Sequence, residues 1–405
     1  MINITKLWTG VAQPADALRY GMGGHPHAKA STRKPITVWN ITRTCNLRCV
    51  HCYSDSNALS YLGELDWPQM EAVVRDLAQY QIPSLLLSGG EPLVHPRFFD
   101  LVSLASAQGL KLTISTNGTL ITEEKAALLK AANVAYVGIS LDGIGEVHDQ
   151  FRRKEGAFDG AVRGFRNCHA VGQKTGLRLT LTRHTVQNID AILDFIEQEQ
   201  IQRVCFYHLV PAGRGSQLQV LRPEESRHAL DTLIARAEAW HRQGVTRELL
   251  TVAQPADGAY LLLRMERENH PNLEEARRLL AWNGGGANSS GRGIANIDTQ
   301  GNVHPDQFWQ DITLGNVKRT PFSAIWEGQE ASSAEVLGDI RSIGRLSNAE
   351  RQVRMQGACA SCRWFSLCGG GFRTRAAYGN DGGLWGSDPG CYLTEAERTG
   401  VELVS

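Results

Sequence analysis

The chain lacks the features that would assign it to a membrane, to secretion or to a polyanionic partner. Its 405 residues contain 42 Lys and Arg against 42 Asp and Glu, so the formal net charge is zero and provides no overall field to attract nucleic acid. No apolar run approaches the ~20 residues of a bilayer-spanning helix. Residues 1–10 lack the basic-then-apolar pattern of a signal peptide. The sequence predicts a cytoplasmic protein with no nucleic-acid or membrane partner.

Internal repeats and low-complexity tracts are also absent, while the apolar content of 42% is that of a folded protein. The length exceeds what one hydrophobic core usually accommodates, so two or more domains are expected. Breaker-rich residues 1–34 predict an extended N-terminal lead-in. We then predict an α/β core at 35–215, a helical linker at 216–285 and a small α+β domain at 286–405 with a β-hairpin at 294–304.

The core is predicted from short apolar strands that alternate with helices. Such alternation indicates βαβ units and a parallel sheet, here a partial (β/α)6 TIM-like barrel. The predicted strands are Ile36–Ile41, Leu85–Ser88, Lys111–Ser115, Val134–Leu141, Leu177–Arg183 and Val204–Leu209. The predicted helices between them are Trp67–Tyr80, Phe98–Gln108, Glu123–Ala132, Phe158–Val171 and Ile189–Glu199.

Nine cysteines in a cytosolic chain do not indicate a disulfide framework, because the cytosol keeps thiols reduced. Cys168 and Cys205 stand alone, and we predict that both are buried in the core. The other seven form two groups typical of metal sites. These groups are Cys45, Cys49 and Cys52, and Cys359, Cys362, Cys368 and Cys391.

The first group follows the first predicted strand, at the sheet edge where α/β proteins place active sites. Its spacing, C-x3-C-x2-C, supplies three thiolates to a cubane iron–sulfur cluster and leaves the fourth iron open for a small molecule. A zinc site would need a fourth ligand such as His51. His51 directly precedes Cys52, which makes shared tetrahedral coordination awkward.

With this spacing, residues 36–211 resemble the radical S-adenosylmethionine (SAM) superfamily. The resemblance implies that Cys45, Cys49 and Cys52 bind a 4Fe-4S cluster and that the SAM amine and carboxylate chelate the open iron. An electron from the cluster then splits SAM into methionine and a 5′-deoxyadenosyl radical, which abstracts a hydrogen atom. The resemblance also places His51 and Tyr53 near the cluster and the adenine.

The run Gly89–Gly90–Glu91–Pro92 matches the superfamily's second motif. Two glycines let a backbone approach a ligand closely, and the Glu91 carboxylate can accept hydrogen bonds from the SAM ammonium group. The resemblance further implies SAM contacts at the ends of the next strands. These residues are Thr116, Asn117, Ser140, Asp142 and, for the SAM carboxylate, Arg152 or Arg153; the alternative for each is a turn, cap or solvated residue.

The second group supplies four thiolates, a complete set for an auxiliary 4Fe-4S cluster or for zinc. With Gly369–Gly371 after Cys368, its spacing resembles the SPASM/twitch domain, which implies the cluster. A full SPASM domain needs further cysteines at positions held here by Phe372 and by the hairpin segments 289–291 and 301–306. We therefore predict two clusters in all. Asp306 or His304 would lie where the missing ligands belong, either facing substrate or capping a loop.

The runs Trp282–Gly285 and His304–Trp309, with this truncated cysteine set, resemble the radical SAM proteins of heme d1 biosynthesis. The resemblance implies removal of propionate side chains from didecarboxysiroheme, with flavodoxin or ferredoxin as electron donor. The alternatives are a siroheme or iron-coproporphyrin decarboxylase, a peptide maturase and a non-enzymatic electron-transfer protein. Neither a catalytic acid or base nor an oligomeric state is predicted. Candidate contacts for substrate carboxylates are Arg214, Arg292, Arg373 and His208.

Overall fold

The computed structural model describes residues 1–13, 15–20, 34–283, 289–329, 335, 337–338, 340–341, 347–379 and 383–400. Within them, one sheet has the strand order β1-β8-β7-β6-β5-β4-β3-β2-β9-β10-β11. Its strands, in chain order from β1 to β11, are Ile2–Asn3, Ile36–Asn40, Leu85–Ser88, Leu112–Thr116, Tyr136–Ser140, Thr175–Leu181, Arg203–His208, Glu248–Val252, Ile294–Ile297, Asn302–His304 and Gly315–Asn316.

Strands β2 to β8 are parallel, and β9 adds to β2 in the same direction. Antiparallel β1 and β10 border this parallel set. The six predicted strands correspond to β2–β7, which confirms the α/β partial-barrel core. The prediction of a helical linker at 216–285 is wrong at Glu248–Val252, because this short apolar run pairs with β7 and becomes β8.

Helices cover the outside of the sheet and pack apolar residues against it, which places the core between the two layers. The α-helices are Ile4–Thr9, Asp16–Tyr20, Trp67–Gln79, Phe98–Ala107, Glu123–Ala131, Glu146–Arg152, Ala157–Ala170, Ile189–Gln198, Pro223–Arg242, Ala256–Arg267, Leu273–Asn283, Phe322–Trp326, Asn348–Arg354, Phe365–Cys368, Arg373–Gly379 and Glu395–Thr399. No helix in the described part of the chain is long and apolar enough to cross a membrane.

The prediction of an extended lead-in is wrong for the described residues before 21. Strand β1 pairs with β8, and the helix Ile4–Thr9 is buried along one face. Arg19 makes an ion pair with Glu248, the first residue of β8, which also pairs with Arg203 at the start of β7. Because both strands begin at this end, the N-terminal segment closes the amino end of the barrel.

The predicted hairpin is confirmed as β9 and β10. Because β9 also pairs with β2, however, the hairpin extends the barrel sheet and brings the C-terminal region beside the cysteine loop. One sheet therefore crosses the predicted boundaries at 215 and 285, and the domain bounds themselves stay predictions.

Replacing Ile4 tests whether the N-terminal segment is part of the core. Ile4→Ala removes a fully buried side chain, so we expect a loss of about 2–5 kcal/mol in the free energy of unfolding, measured by urea denaturation. Ile36→Ala is the control, because Ile36 is 42% exposed and should lose much less. Equal effects of the two substitutions would contradict the buried N-terminal segment.

Candidate active site

The cysteine loop after β2 is held from two sides. Cys45 N donates to Asn57 O at 2.7 Å, and Val50 N donates to Phe151 O at 3.0 Å. Arg214 braces the loop from the far side, donating from Nε to Cys49 O at 2.9 Å and from Nη2 to Ser56 O at 2.8 Å. Arg214 therefore supports the loop, and its role as a substrate contact stays a prediction.

Each sulfur of this loop has a nitrogen donor nearby. Leu47 N donates to Cys45 Sγ, Ser56 N to Cys52 Sγ and Arg152 Nη1 to Cys49 Sγ, each at 3.4 Å. Burial, with Glu91 nearby, raises the pKa of the Cys45 thiol to about 12, so this sulfur can accept a hydrogen bond as a thiolate only if something displaces its proton. Metal binding does this, because the thiolate is the ligand form. The three residues therefore fit a metal cluster.

The Gly89–Gly90 pair is required by contact between two loops. Gly90 N donates to Thr42 O at 2.7 Å. A Cβ atom on Gly89 would lie 2.4 Å from Thr42 O, and one on Gly90 would lie 2.4 Å from Thr44 O. The predicted close approach of these glycines to SAM stays a prediction. In the structure they admit the backbone of the cysteine loop.

Glu91 is fully buried and joins the ends of β3 and β4. Its carboxylate accepts from Thr116 Oγ1 and Asn117 N at 2.7 Å each, and from Leu93 N at 3.1 Å. Burial raises the pKa of this carboxyl to about 6, although the three donors favour its charged form. Asn117 also donates to Asn46 Oδ1 at 2.8 Å, which ties β4 to the cysteine loop. The SAM contacts of Glu91, Thr116 and Asn117 stay predictions.

Asp142 and Arg152 form a buried ion pair beside Cys49. Asp142 Oδ1 also accepts from Thr180 N at 2.8 Å. Burial opposes the charged form of Asp142, but Arg152 and His51 outweigh it and lower the pKa of the carboxyl. Arg152 thus has a protein partner, although its buried Nε has no hydrogen bond. Its contact with the SAM carboxylate stays a prediction, while Arg153 is exposed.

Ser140 is the last residue of β5. His51 and Tyr53 both lie against this site. His51 is neutral, because burial lowers its pKa to about 4, and its ring stacks on Phe151 at 4.7 Å. Tyr53 donates its hydroxyl to Asn40 Oδ1 at 3.0 Å, and its ring meets the edge of Phe308 at 5.4 Å. Tyr53 therefore links the cysteine loop to the C-terminal region.

The second cysteine group lines a cavity of about 180 Å³, several times the ~30 Å³ share of one water molecule. In the described part of the chain, no three His, Cys, Asp or Glu side chains converge tightly enough to bind a single metal ion. Four thiols around a cavity of this size fit a polynuclear cluster better than zinc. The lining cysteines are Cys359, Cys362, Cys368 and Cys391.

Arg373 lies beside this cavity and is fully buried, and its role as a substrate contact stays a prediction. Its Nη1 donates to Gly386 O at 2.7 Å and Leu384 O at 3.0 Å, but its Nε and Nη2 have no hydrogen-bond partner. The nearby carboxylate of Asp388 is bound by Arg375 through two contacts of 2.7 Å. Arg373 is therefore available to balance the negative charge of cysteine-bound iron.

The segments that lack the further SPASM cysteines meet in a buried polar network. Asp306 accepts from Ser290 Oγ, from Thr374 Oγ1 at 2.7 Å and from Phe308 N at 2.7 Å. His304 uses both ring nitrogens, on Ile312 O at 2.7 Å and Asp298 Oδ2 at 3.3 Å. These bonds match the loop-capping alternative for both residues. No thiolate takes part in these hydrogen bonds, and the absence of a second auxiliary cluster stays a prediction.

The remaining predictions have mixed outcomes. Cys168 and Cys205 are buried, as predicted. His208 is buried and contacts Asp257 Oδ2 through Nε2 at 3.1 Å, and the substrate roles of His208 and Arg292 stay predictions. Residues 284–285 of the Trp282–Gly285 run lie outside the described residues.

The family assignment rests on comparison with known proteins. The radical SAM superfamily model matches residues 39–196, and the SPASM iron–sulfur cluster-binding model matches residues 289–363. The Fe-coproporphyrin III synthase of Methanosarcina barkeri is 43% identical over 98% of both chains. This chain belongs to the radical SAM superfamily. The pre-heme d1 synthase of Dinoroseobacter shibae is 39% identical over 92% of this chain and 89% of its own.

Comparison of the fold with solved structures agrees with the assignment to the radical SAM superfamily. SuiB of Streptococcus suis, crystallised with S-adenosylmethionine, superposes with a TM-score of 0.66 over 89% of this chain and 78% of its own, at 16% identity, which shows the shared fold. The chain is therefore an enzyme with a 4Fe-4S cluster, SAM and an auxiliary cluster. The cluster and SAM supply radical initiation, while the protein orients SAM and surrounds the sulfurs with donors.

Substitution of Gly90 tests the contact between the two loops. In Gly90→Ala the new Cβ meets Thr44 O at 2.4 Å, so we expect the cysteine loop to shift and roughly four irons, one cubane, to be lost on reconstitution. Gly293→Ala is the matched control, because its Cβ finds only ordinary contacts at 3.7 Å or more. Full iron content in Gly90→Ala would refute the requirement for glycine.

Arg373→Met should lower the reduction potential of the auxiliary cluster, because the buried cation favours the more negative reduced state. The measurement is protein-film voltammetry in a background with Cys45, Cys49 and Cys52 replaced by alanine, where roughly four irons, one cubane, should remain. Arg373→Lys should restore most of the shift. Arg354→Gln, an exposed arginine, should change nothing. Equal potentials in the Met and wild-type forms would exclude the charge-balancing role.

Proposed function

We propose that this enzyme removes carboxylic side chains from a siroheme-derived iron tetrapyrrole. The observation that carries the proposal is the 43% identity to the Fe-coproporphyrin III synthase across 98% of both chains. A match that covers 98% of both chains extends well beyond the SAM-binding motifs. Since the core motifs specify only the radical initiator, agreement outside them supports a common substrate class.

Two products are candidates. The sequence prediction is the heme d1 reaction, in which propionates leave didecarboxysiroheme, and the relative named pre-heme d1 synthase supports it at 39% identity. The other candidate is formation of an iron coproporphyrin, which the name of the relative Fe-coproporphyrin III synthase suggests and which differs from the decarboxylase of iron coproporphyrin considered from the sequence. The higher identity and coverage of the Fe-coproporphyrin III synthase favour this second product.

We also infer a cytoplasmic location and a flavodoxin or ferredoxin as electron donor. All nine cysteines are free thiols, and the use of seven of them as cluster ligands requires a reducing compartment. A one-electron donor of low potential is what a cubane cluster needs for reduction.

One incubation tests the proposal. The reconstituted enzyme, kept anaerobic with dithionite and SAM, receives didecarboxysiroheme, and the products are separated and weighed by mass spectrometry. We expect 5′-deoxyadenosine and a tetrapyrrole that has lost carboxylic side chains. Co-elution with authentic Fe-coproporphyrin III supports the second candidate, and loss of two propionates supports the first.

The control is the variant with Cys45, Cys49 and Cys52 replaced by alanine, which should form neither product. An unchanged tetrapyrrole in a reaction that does produce 5′-deoxyadenosine would refute the proposed substrate. Modification of a candidate peptide in place of the tetrapyrrole would favour the maturase alternative.

A further inference from the structure

Several side chains on the inner face of the barrel sheet are only partly buried. On β4 to β7, the side chains that face the helices are buried, whereas alternate side chains on the inner face are only partly buried. In β6, for example, Leu177, Leu179 and Leu181 are buried in the core, while Arg178 and Thr180 keep accessible surface. Because successive side chains of a strand alternate between its faces, this pattern marks a space inside the sheet.

Arg178 is a cation in this interior without an acidic partner. No ion pair joins it to an Asp or Glu within the described residues, and its buried Nε has no hydrogen bond. The other arginine of the inner face differs, because Arg203 pairs with Glu248 at the closed amino end. The groups that act on Arg178 electrostatically are Tyr207, Tyr136 and Cys205, all uncharged at neutral pH.

Two glycines provide the space for this side chain. Gly138 and Gly176 are paired in register on β5 and β6. A Cβ on Gly138 would lie 2.2 Å from Arg178 Nε, and one on Gly176 would lie 2.2 Å from the Tyr136 hydroxyl. That hydroxyl lies close enough to Arg178 to interact with it. The two glycines thus leave room for an arginine beside a tyrosine, and no carboxylate in the described part of the chain pairs with that arginine.

Arg178 lies directly below the SAM-binding edge. It pairs in register with Ser140, the last residue of β5, and with Cys205 on β7. Its charge also reaches Tyr53, which follows the cysteine loop. A ligand that enters from the carboxyl edge of the barrel therefore meets this guanidinium after it passes the cysteine loop.

We propose that Arg178 binds a carboxylate of the tetrapyrrole substrate inside the barrel. A cation withdrawn from water without an anion is costly, and a guanidinium is suited to a carboxylate through two parallel hydrogen bonds. SAM has one carboxylate, and the superfamily resemblance commits it to the open iron. The substrate class of the proposed function has several. This site rests on that proposed function and makes Arg178 a specificity-determining residue for it.

The test compares binding to the reconstituted enzyme of didecarboxysiroheme, by absorbance titration, with that of SAM, by equilibrium dialysis. We expect Arg178→Gln to weaken tetrapyrrole binding roughly 10- to 100-fold, as loss of a charge-assisted hydrogen bond does, and to leave SAM binding within about twofold. Arg178→Lys should recover part of the loss. Gly138→Ala should weaken binding while keeping the charge, because its Cβ displaces the guanidinium.

Arg166→Gln is the control, since this arginine is exposed on the helix Ala157–Ala170 and pairs with Glu199. Didecarboxysiroheme with its carboxylates methyl-esterified should bind wild type and Arg178→Gln equally. If Arg178→Gln binds didecarboxysiroheme with free carboxylates as tightly as wild type does, the proposed site is overturned. An equal loss of SAM affinity would also overturn it, because it would assign Arg178 to the SAM carboxylate. If wild type fails to bind the tetrapyrrole, the proposed function itself fails and the site with it.

Discussion

Close contact between two backbone loops is the constraint on which the active site depends. The loop after β3 packs on the cysteine loop after β2 so closely that Gly89 and Gly90 leave no room for a Cβ. Glu91 extends this contact to β4 by accepting from Thr116 and Asn117. The ends of three adjacent strands are thereby held as one unit. The positions of the three cluster thiols follow from this packing, because the cysteine loop has few apolar contacts of its own.

A second constraint is that buried anionic groups need positively charged partners. Iron–sulfur clusters with thiolate ligands are anionic, and anions withdrawn from water need positive partners. Arg152 donates to Cys49 and pairs with Asp142 at the first site. Within the described residues, no ion pair joins Arg373 beside the second site or Arg178 inside the barrel to a carboxylate. These three arginines therefore correspond to three anionic groups: the two clusters and, in our proposal, a substrate carboxylate.

The local sequence pattern was sufficient to predict those parts of the fold whose signals lie within a short stretch of the chain. The strands β2 to β7 and both cysteine groups could be predicted from periodicity and spacing, because a buried parallel strand is a continuous apolar run and cluster ligands cluster in sequence. The strands β1 and β8 could not, because each is a short run whose partner lies far along the chain. Arg178 was not predicted for a related reason. A charged residue in an apolar strand can be assigned a role only when it is known which face of the sheet carries it.

The sequence by itself determined the chemistry: three thiols with an open fourth position, four thiols without one, and a Gly–Gly–Glu turn after a strand. Tertiary structure decided how those residues are used. It assigned Gly89 and Gly90 to loop packing, Arg214 to bracing the cysteine loop and Arg373 to the surroundings of the auxiliary cysteines. The physical reason is that a residue's type limits the bonds it can make, whereas burial and the nearest partner select among them. Those two quantities exist only once distant segments have come together.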